Sequence, residues 1–302
     1  MNLTFDKKLA DNLNNPSQKI RVISESWTEK NIFCPNCGHF EINKHRNNKP
    51  VSDFFCSNCD EDYELKSKKD KMGNRILDGA YSTMIERLKS ESNPNFFFLN
   101  YDIHNYEVQN FIVVPKHFFT PDMIIKRNKG IPNRPNYIMC SIDLSLIPHS
   151  GKIFYVKDKK IEPKDNVLAE WQKTLFLREE KEISAKGWLL DIMNCVEKLG
   201  RKEFFLDEVY AFENILSKKH PENKHIKDKI RQQLQVLRDK NYLQFLGRGM
   251  YMSNLTYILH SLIKWAQYEN TLKLSGVKGF ITVYNEAVRF RYMITCLTTI
   301  GC

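Results

Sequence analysis

Two carboxylates and a lysine lie close together between residues 50 and 66, and side chains of these types can bind a metal ion. Asp53 is followed, after ten intervening residues, by Glu64-Leu65-Lys66. Side chains alternate across a β-strand, so Glu64 and Lys66 would share one face of a strand while Leu65 faces the core. If Asp53 lies on an adjoining strand, one face of a hairpin holds two carboxylates and an ammonium group.

An acid pair beside a lysine suits the hydrolysis of a phosphodiester. Carboxylate oxygens are ligands for Mg²⁺, which keeps several waters, and a neighbouring lysine can orient or deprotonate an attacking water. This is the PD-(D/E)xK pattern of metal-dependent nucleases. The pattern is short, and in a chain with 27% charged residues an ordinary surface hairpin is the alternative. Under the first interpretation Asp53, Glu64 and Lys66 are the predicted catalytic residues.

Four cysteines surround the same segment at a spacing typical of a zinc site. Cys34 and Cys37 form one C-x₂-C pair, Cys56 and Cys59 form a second, and eighteen residues separate the pairs. Each two-residue turn lets two thiolates reach one tetrahedral ion. Disulfides or a redox C-x-x-C are the alternatives, but no secretory signal is expected and matched pairs favour zinc. We predict a structural Zn²⁺, because a four-cysteine site is closed to substrate.

Helices and strands around these residues are expected to form a central sheet flanked by helices. Apolar residues recur every three or four positions over residues 16–31, which predicts an amphipathic helix with Ser17 as its N-cap. Glu25 lies on this helix, and we expect it to be solvated and outside the site. A second helix is predicted over residues 78–88. The apolar runs predict strands buried on both faces over residues 96–99 and 111–114.

A basic loop is predicted over residues 126–137, which combine four basic residues with two prolines and a glycine. Such a loop can lie in a DNA groove, with Arg134 on a phosphate and Tyr137 against a base edge or methyl group. An ordinary surface loop with a half-buried tyrosine is the alternative.

The last third of the chain contains the helix and hairpin order of a winged helix. Helices are expected over residues 188–199 and 206–218, the latter capped by Asp207, and an apolar stripe from Ile226 to Leu237 predicts a third. A hairpin over 242–252 follows, with Arg248 at its tip. The charged face of the third helix suits reading of the major groove, although such faces are often only solvated. The predicted DNA contacts here are Lys227, Arg231, Gln232 and Arg248.

Composition and charge narrow the classes of function. The chain has 302 residues, 42% of them apolar, and a net charge of +10, which favours a polyanionic partner. The sequence has no apolar run long enough for a membrane span, and a cytoplasmic location is expected. We predict three segments: a catalytic domain with the zinc site over 1–181, a winged helix over 182–253, and an extension of unknown role over 254–302.

Six runs of sequence resemble one known family of enzymes. They are CPNCG at 34–38, KPVSDFFC at 49–56, YELKSKK at 63–69, DGAYSTM at 78–84, NPNFFFL at 93–99 and HIKDKIRQQLQVLRDK at 225–240. The chain is similar, over residues 1–253, to methyl-directed type II restriction endonucleases of the DpnI type. The resemblance implies an α/β (α+β) PD-(D/E)xK core with an inserted four-cysteine zinc site and a C-terminal winged helix.

The resemblance also implies a substrate and cofactors. The substrate would be double-stranded DNA carrying N6-methyladenine in GATC. Beside the resemblance, the acid pair and lysine predict Mg²⁺ dependence, and we expect a bacterial enzyme that works as a monomer. Asp53, Glu64 and Leu65 are the predicted Mg²⁺ ligands, Leu65 having only its backbone carbonyl to offer. The family carries tryptophan at the position of Tyr137, an exchange of one aromatic ring for another.

Two other functions compete with this interpretation. A zinc-containing winged-helix transcription regulator would bind DNA without cutting it, but would have no need of Asp53, Glu64 and Lys66. A repair or junction-resolving nuclease would share the chemistry and recognise a DNA structure instead of one defined sequence.

Overall fold

The computed structural model describes residues 1–45, 52–70, 73–90, 92–253, 279–286 and 289–296. The α-helices are α1 (Pro16–Asn31), α2 (Tyr81–Lys89), α3 (Lys164–Gln172), α4 (Ile183–Lys198), α5 (Leu206–Tyr210), α6 (Glu213–Lys219) and α7 (Ile226–Asp239). The strands of the N-terminal part, residues 1–181, are β1 (Asn43–Lys44), β2 (Phe54–Phe55), β3 (Asp62–Lys69), β4 (Arg75–Ala80), β5 (Asn95–Asp102), β6 (Glu107–Val114), β7 (Ile124–Lys126), β8 (Met139–Asp143), β9 (Ile153–Lys157) and β10 (Lys160–Ile161). Further strands are β11 (Glu203–Phe205), β12 (Leu243–Gly247), β13 (Met250–Ser253), β14 (Gly279–Glu286) and β15 (Arg289–Cys296).

A seven-stranded mixed sheet forms the centre of the molecule, in the order β1-β2-β3-β5-β6-β9-β10. β3 and β5 are parallel, because helix α2 and strand β4 form a crossover between them, and every other pair in this sheet is antiparallel. The predicted sheet with flanking helices is confirmed.

The side chains of β5 alternate between two cores. Phe96 and Phe98 face one apolar cluster, while Phe97 and Leu99 face a second cluster that includes Trp27 of α1. All four β5 side chains are buried, as expected for a strand covered on both faces. The central sheet therefore separates one core on the side of α1 from another on the side of α2 and the C-terminal helices.

Helix α1 matches its predicted bounds but begins differently. The N-cap is Asn15, whose Oδ1 accepts hydrogen bonds from Ser17 N and Gln18 N. Ser17 is therefore not the cap, because Pro16 takes the first helical position and moves the cap one residue before it.

A second, three-stranded sheet has the order β4-β8-β7 and corrects another expectation. Residues 78–80 were expected to begin a helix, but they end strand β4, and α2 begins at Tyr81. Asp78 pairs with Cys140 of β8 and Ala80 with Met139, so Gly79 forms a β-bulge. Pairing with a strand some sixty residues away overrides the local helical pattern.

The C-terminal part has the winged-helix arrangement, with α4 to α7 packed against the sheet β11-β13-β12. The single helix expected over 206–218 is wrong, since α5 and α6 divide it. Asp207 is not its cap either, because Glu208 accepts the hydrogen bond from Phe205 N. Arg248 and Gly249 form the turn between β12 and β13, both with positive φ.

The winged helix packs directly on the N-terminal part. Tyr242 Oη donates to Glu197 Oε1 at 3.1 Å and lies 3.1 Å from Ser150 Oγ. Glu197 also accepts from Ser150 N, at 3.0 Å, and from His149 N. Apolar residues of α4, among them Trp188 and Ile192, belong to the same buried cluster as Phe96.

Within the described ranges, no helix combines the length and apolarity needed to cross a membrane. Strand β14 pairs with β15 as an antiparallel two-stranded sheet, which lies within the segment expected to be an extension of unknown role.

Candidate active site and zinc centre

Strands β2 and β3 bring the three predicted catalytic residues together. Asp53 precedes β2, and its backbone N–H donates to Tyr63 O at 2.9 Å. Its Oδ2 accepts from Leu65 N at 2.8 Å, which fixes the carboxylate beside Glu64 and Lys66. Asp53, Glu64, Leu65 and Lys66 line one pocket together with residues of α1.

Lys66 lies between two carboxylates. Its Nζ is 2.6 Å from Glu64 Oε1 and 2.5 Å from Asp78 Oδ1. The other oxygen of Glu64 is 3.2 Å from a terminal nitrogen of Arg87, on α2. Glu64 therefore contacts a cation at each oxygen, and Asp78 joins the cluster from strand β4.

Glu25 corrects the expectation of a solvated helix residue. It is 5% exposed and lines the same pocket as Asp53 and Glu64. Arg21 Nε lies 2.6 Å from one of its oxygens and Lys44 Nζ lies 2.6 Å from the other. Helix α1 packs on β3, so the face that carries Glu25 is turned toward the sheet and away from solvent.

Burial and charge shift the protonation of these groups. Burial raises the pKa of Asp53, although its bond from Leu65 N–H opposes the shift. Burial also raises the pKa of Glu64, against the attraction of Lys66. Burial lowers the pKa of Lys66, but the charges of Glu64 and Asp78 outweigh it and the net pKa is raised. Lys66 is therefore an ammonium group at neutral pH.

The donor set of this pocket fits Mg²⁺. The carboxylates of Asp53 and Glu64 could serve as oxygen ligands, and the exposed fractions of their side chains, 24% and 16%, leave a path from solvent. Asp53 Oδ1 lies 3.9 Å from Arg21, beyond hydrogen-bond distance, so this oxygen can turn to an ion. A hard cation with one or two carboxylates and several waters is the usual mode of Mg²⁺ binding.

The four predicted zinc ligands form one cluster. Their sulfur atoms all lie within 4.8 Å of one another. Cys34 Sγ is 3.5 Å from Cys59 Sγ, and Cys37 Sγ is 3.6 Å from Cys56 Sγ. These distances exceed a disulfide bond of about 2.05 Å and are close to the edge of a tetrahedron with Zn–S bonds of about 2.3 Å. The cluster could hold a zinc ion.

Two turns of the same geometry build the cluster. Gly38 N donates to Cys34 O and Asp60 N donates to Cys56 O, each at 2.9 Å. The residue after each second cysteine has positive φ, +73° at Gly38 and +55° at Asp60. Burial raises the pKa of the Cys37 thiol, but hydrogen bonds with Asn58 and His39 have the larger, opposite effect. The net result is that the pKa of this thiol is lowered to about 7.

The four-cysteine cluster lies at one end of the strands that carry the predicted catalytic residues. Cys56 and Cys59 lie in the turn between β2 and β3. Tyr63, the residue before Glu64, places its hydroxyl 3.1 Å from Cys34 Sγ. A metal held here therefore ties α1 to the β2–β3 turn and stabilises the hairpin that presents Asp53 and Glu64.

The basic loop joins β7 to β8 and is exposed. Arg134 is exposed, and Tyr137 is 38% exposed. A Cβ atom placed on Gly79 would lie 3.5 Å from the hydroxyl of Tyr137, so this ring lies beside the bulge of β4. Tyr137 is thus close to the strand that brings Asp78 to Lys66.

The predicted contacts of the winged helix are exposed on α7 and at its hairpin. Lys227, Arg231 and Gln232 are exposed on α7, and Arg248 is exposed at the β12–β13 turn. Arg231 donates to Tyr210 Oη at 3.0 Å, and Lys227 is 3.6 Å from Glu213. None of these contacts buries the cationic groups, which remain available to a polyanion.

The sequence did not predict five charged residues in or beside the pocket, which are Arg21, Glu25, Lys44, Asp78 and Arg87. Arg87 and Asp78 lie in a segment that was expected to be a helix without a role in the site. Glu25 lies on a helix face that was expected to be exposed to solvent. The DGAYSTM run carried a signal, because its glycine interrupts the helical pattern directly after Asp78.

Comparison with protein-family models gives two matches that follow each other along the chain. Residues 1–180 match the model described as the Dam-replacing family. Residues 184–253 match the model described as the Dam-replacing HTH domain. The first match alone spans more than half of the chain, and it contains the whole pocket and all four clustered cysteines.

Proposed function

This chain belongs to the Dam-replacing family, and we propose that it is a methylation-dependent type II restriction endonuclease that hydrolyses double-stranded DNA. The observation that carries the proposal is the shared pocket of Asp53, Glu64 and Lys66, since a protein that only binds DNA has no use for it. Residues 1–181 would be the catalytic domain and residues 182–253 the winged helix, with residues 254–302 as an extension.

The proposed reaction is in-line attack of water on a phosphodiester. Asp53, Glu64 and the Leu65 carbonyl would hold Mg²⁺, which supplies a polarised water and stabilises charge on the phosphoryl oxygens when bound. Lys66 orients the attacking water and adds positive charge near the transition state. Asp53 is held in place for this role by the N–H of Leu65, and Glu64 by Lys66 and Arg87.

The proposed substrate is DNA with N6-methyladenine in GATC, bound by a monomer. A methyl group on adenine N6 projects into the major groove, where an aromatic ring can cover it. Tyr137 supplies an exposed ring near the pocket, and Arg134 lies in the same exposed loop. Arg231, Gln232 and Lys227 on α7, with Arg248 on the wing, would contact bases and phosphates as a second reader.

The experiment compares cleavage of matched duplexes that differ only in adenine methylation of one GATC site, with Mg²⁺ and with EDTA. We expect cutting only with Mg²⁺, and faster cutting of the methylated duplex. Equal rates on both duplexes would refute methyl dependence but leave a nuclease. Binding without cutting in any metal would favour the winged-helix regulator, and cutting of branched DNA alone would favour a junction nuclease.

A further inference from the structure

Asp78 is a buried carboxylate whose charge is directed at Lys66. Its side chain is 6% exposed, and Oδ1 lies 2.5 Å from Lys66 Nζ. The same oxygen accepts from Gly79 N at 2.7 Å. Oδ2 is buried and has no hydrogen-bond partner within the described ranges of the chain. A buried carboxylate with one unpaired oxygen is costly to the fold, so its retention needs a reason.

The backbone of β4 is shaped to hold this carboxylate in place. The bulge at Gly79 separates the pairs Asp78–Cys140 and Ala80–Met139. Gly79 O lies 3.6 Å from Cys140 Sγ, while Gly79 N donates to Asp78. Bulges of this kind redirect one side chain out of the regular alternation, and here the redirected region carries Asp78 to the neighbouring sheet.

A role for Asp78 in capping helix α2 does not explain the arrangement. The N-cap of α2 is Ala80, and no side chain caps its first turn. Asp78 instead makes its charged contact across to strand β3, which belongs to a different sheet. The contact therefore serves the position of Lys66 more directly than the start of the helix.

We infer that Asp78 is the positioning residue for Lys66: it holds the ammonium group beside the pocket while Glu64 is engaged elsewhere. This inference rests on the proposed nuclease function. In the structure Lys66 is shared between Glu64 and Asp78. If Glu64 binds a cation, its Oε1 is shared between that cation and Lys66, and the ion pair between Glu64 and Lys66 is weakened. Asp78 is then the carboxylate that still pairs with Lys66. Without Asp78 the lysine would swing on its four-carbon chain, and a misplacement of about 1 Å can cost on the order of 100-fold in rate.

The test is a double-mutant cycle between Asp78 and Lys66, measured as single-turnover cleavage of the methylated duplex in Mg²⁺. Asp78→Asn keeps an oxygen for Gly79 N–H but removes the charge. We expect cleavage to fall by about 10- to 100-fold, while affinity for the duplex stays within about twofold. In a Lys66→Ala background the same substitution should cost less than about threefold, because the group it positions is gone.

The matched control is Asp143→Asn, which removes the same charge from β8 of the same sheet and should leave the rate unchanged. The inference is overturned if Asp78→Asn cuts at the parent rate. It is also overturned if Asp78→Asn lowers the rate by the same factor in the Lys66→Ala background, because that result indicates a structural role. If Asp78→Asn does not fold, Asp78→Ser is put through the same cycle under the same criteria. A parent that cuts no duplex refutes the proposed function together with this inference, whereas a cutting parent with an unaffected variant refutes only the inference.

Discussion

At the scale of single residues, acids and bases alternate around the pocket. Four carboxylates each lie 2.5 to 3.9 Å from at least one cationic side chain. The carboxylates are Glu25, Asp53, Glu64 and Asp78, and the cations are Arg21 of α1, Lys44 of β1, Lys66 of β3 and Arg87 of α2. Removing one buried member leaves its partner without a counter-charge, which destabilises more than the pair itself stabilises. Isosteric amides are therefore better probes of chemistry here than alanine.

Asp53→Asn should abolish cleavage and preserve the fold. The amide oxygen can still accept from Leu65 N–H, while the negative charge that attracts the metal is lost. We expect the single-turnover rate to fall by at least about 100-fold, with DNA affinity and Tm near those of the parent. Glu86→Gln, on the exposed side of α2, is the control and should cut normally. An Asp53→Asn protein with more than about a hundredth of the parent rate would contradict the assignment.

The buried imidazole of His117 should make the free energy of unfolding depend on pH. It is buried against Thr174, and burial, with Arg178, Lys186 and Lys116 nearby, holds the pKa of its imidazole well below the ordinary 6.5. The unfolded chain therefore takes up a proton below about pH 6.5 that the folded protein refuses, so stability is present above that pH and lost as pH falls. We expect His117 to contribute a loss of up to about 1.4 kcal/mol per pH unit between roughly pH 6 and 5.

The measurement is the free energy of unfolding by urea at several pH values. His117→Gln cannot take up this proton, and it should flatten the acid limb relative to the parent. His104→Gln, in an exposed turn, serves as the control and should leave the slope as it is. Parallel curves for the parent and His117→Gln would show that this histidine is not linked to folding.

Some residues of the pocket could be predicted from the sequence and others could not. The placement of Glu64 and Lys66 on one face could be predicted, because side chains alternate along a single strand and this rule needs only local sequence. Glu25 and Asp78 depend on how α1 and β4 pack against β3, which no local pattern contains. The wrong expectation for Asp78 had a specific cause, because DGAYSTM reads as a helix until Cys140 of β8 pairs with it.

At the scale of elements, the two cysteine-containing turns, residues 34–38 and 56–60, decide where the β2–β3 hairpin begins. Cys34 N donates to His39 O and Cys56 N donates to Glu61 O, so both turns close in the same way. The four-cysteine spacing made this cluster predictable, since the ligands lie within two short turns. The contact of Tyr63 with Cys34 was not predictable, because it joins strand β3 to the turn after α1.

Cys56→Ser should lower both zinc content and stability. A closed metal site contributes its binding energy to folding, so loss of one thiolate weakens the tie between α1 and the hairpin. We expect less than half an equivalent of zinc by elemental analysis and a Tm reduced by several degrees. Cys195→Ser, at a buried thiol of α4 outside the cluster, should keep its zinc. Parent protein purified without zinc would contradict the assignment of the metal.

At the scale of the whole molecule, the winged helix and the N-terminal part share one buried apolar cluster, in which Trp188 and Ile192 of α4 lie with Phe96 of β5. Glu197 of α4 binds the backbone of residues 149–150, and Asn194 Nδ2 donates to Leu146 O at 2.8 Å. Lys219 also bridges Asp191 of α4 and Asp122 of the N-terminal part. Deleting the winged helix would break these polar contacts and expose the apolar cluster that both parts share. Point substitutions are therefore the better way to separate the two proposed DNA-reading surfaces.

Tyr137→Ala and Arg231→Ala should each reduce the preference for methylated DNA, and together they should reduce it further. Covering a methyl group is worth about 0.8 kcal/mol, or roughly fourfold in rate, so two methyl-dependent readers would multiply to about fifteenfold. The measurement is the ratio of cutting rates on methylated and unmethylated GATC duplexes, at fixed salt because phosphate contacts respond to salt. Tyr137→Phe keeps the ring and should keep the ratio. If Tyr137→Ala alone brings the ratio to one, only the loop beside the pocket reads the methyl group, and α7 contributes affinity without methyl selectivity.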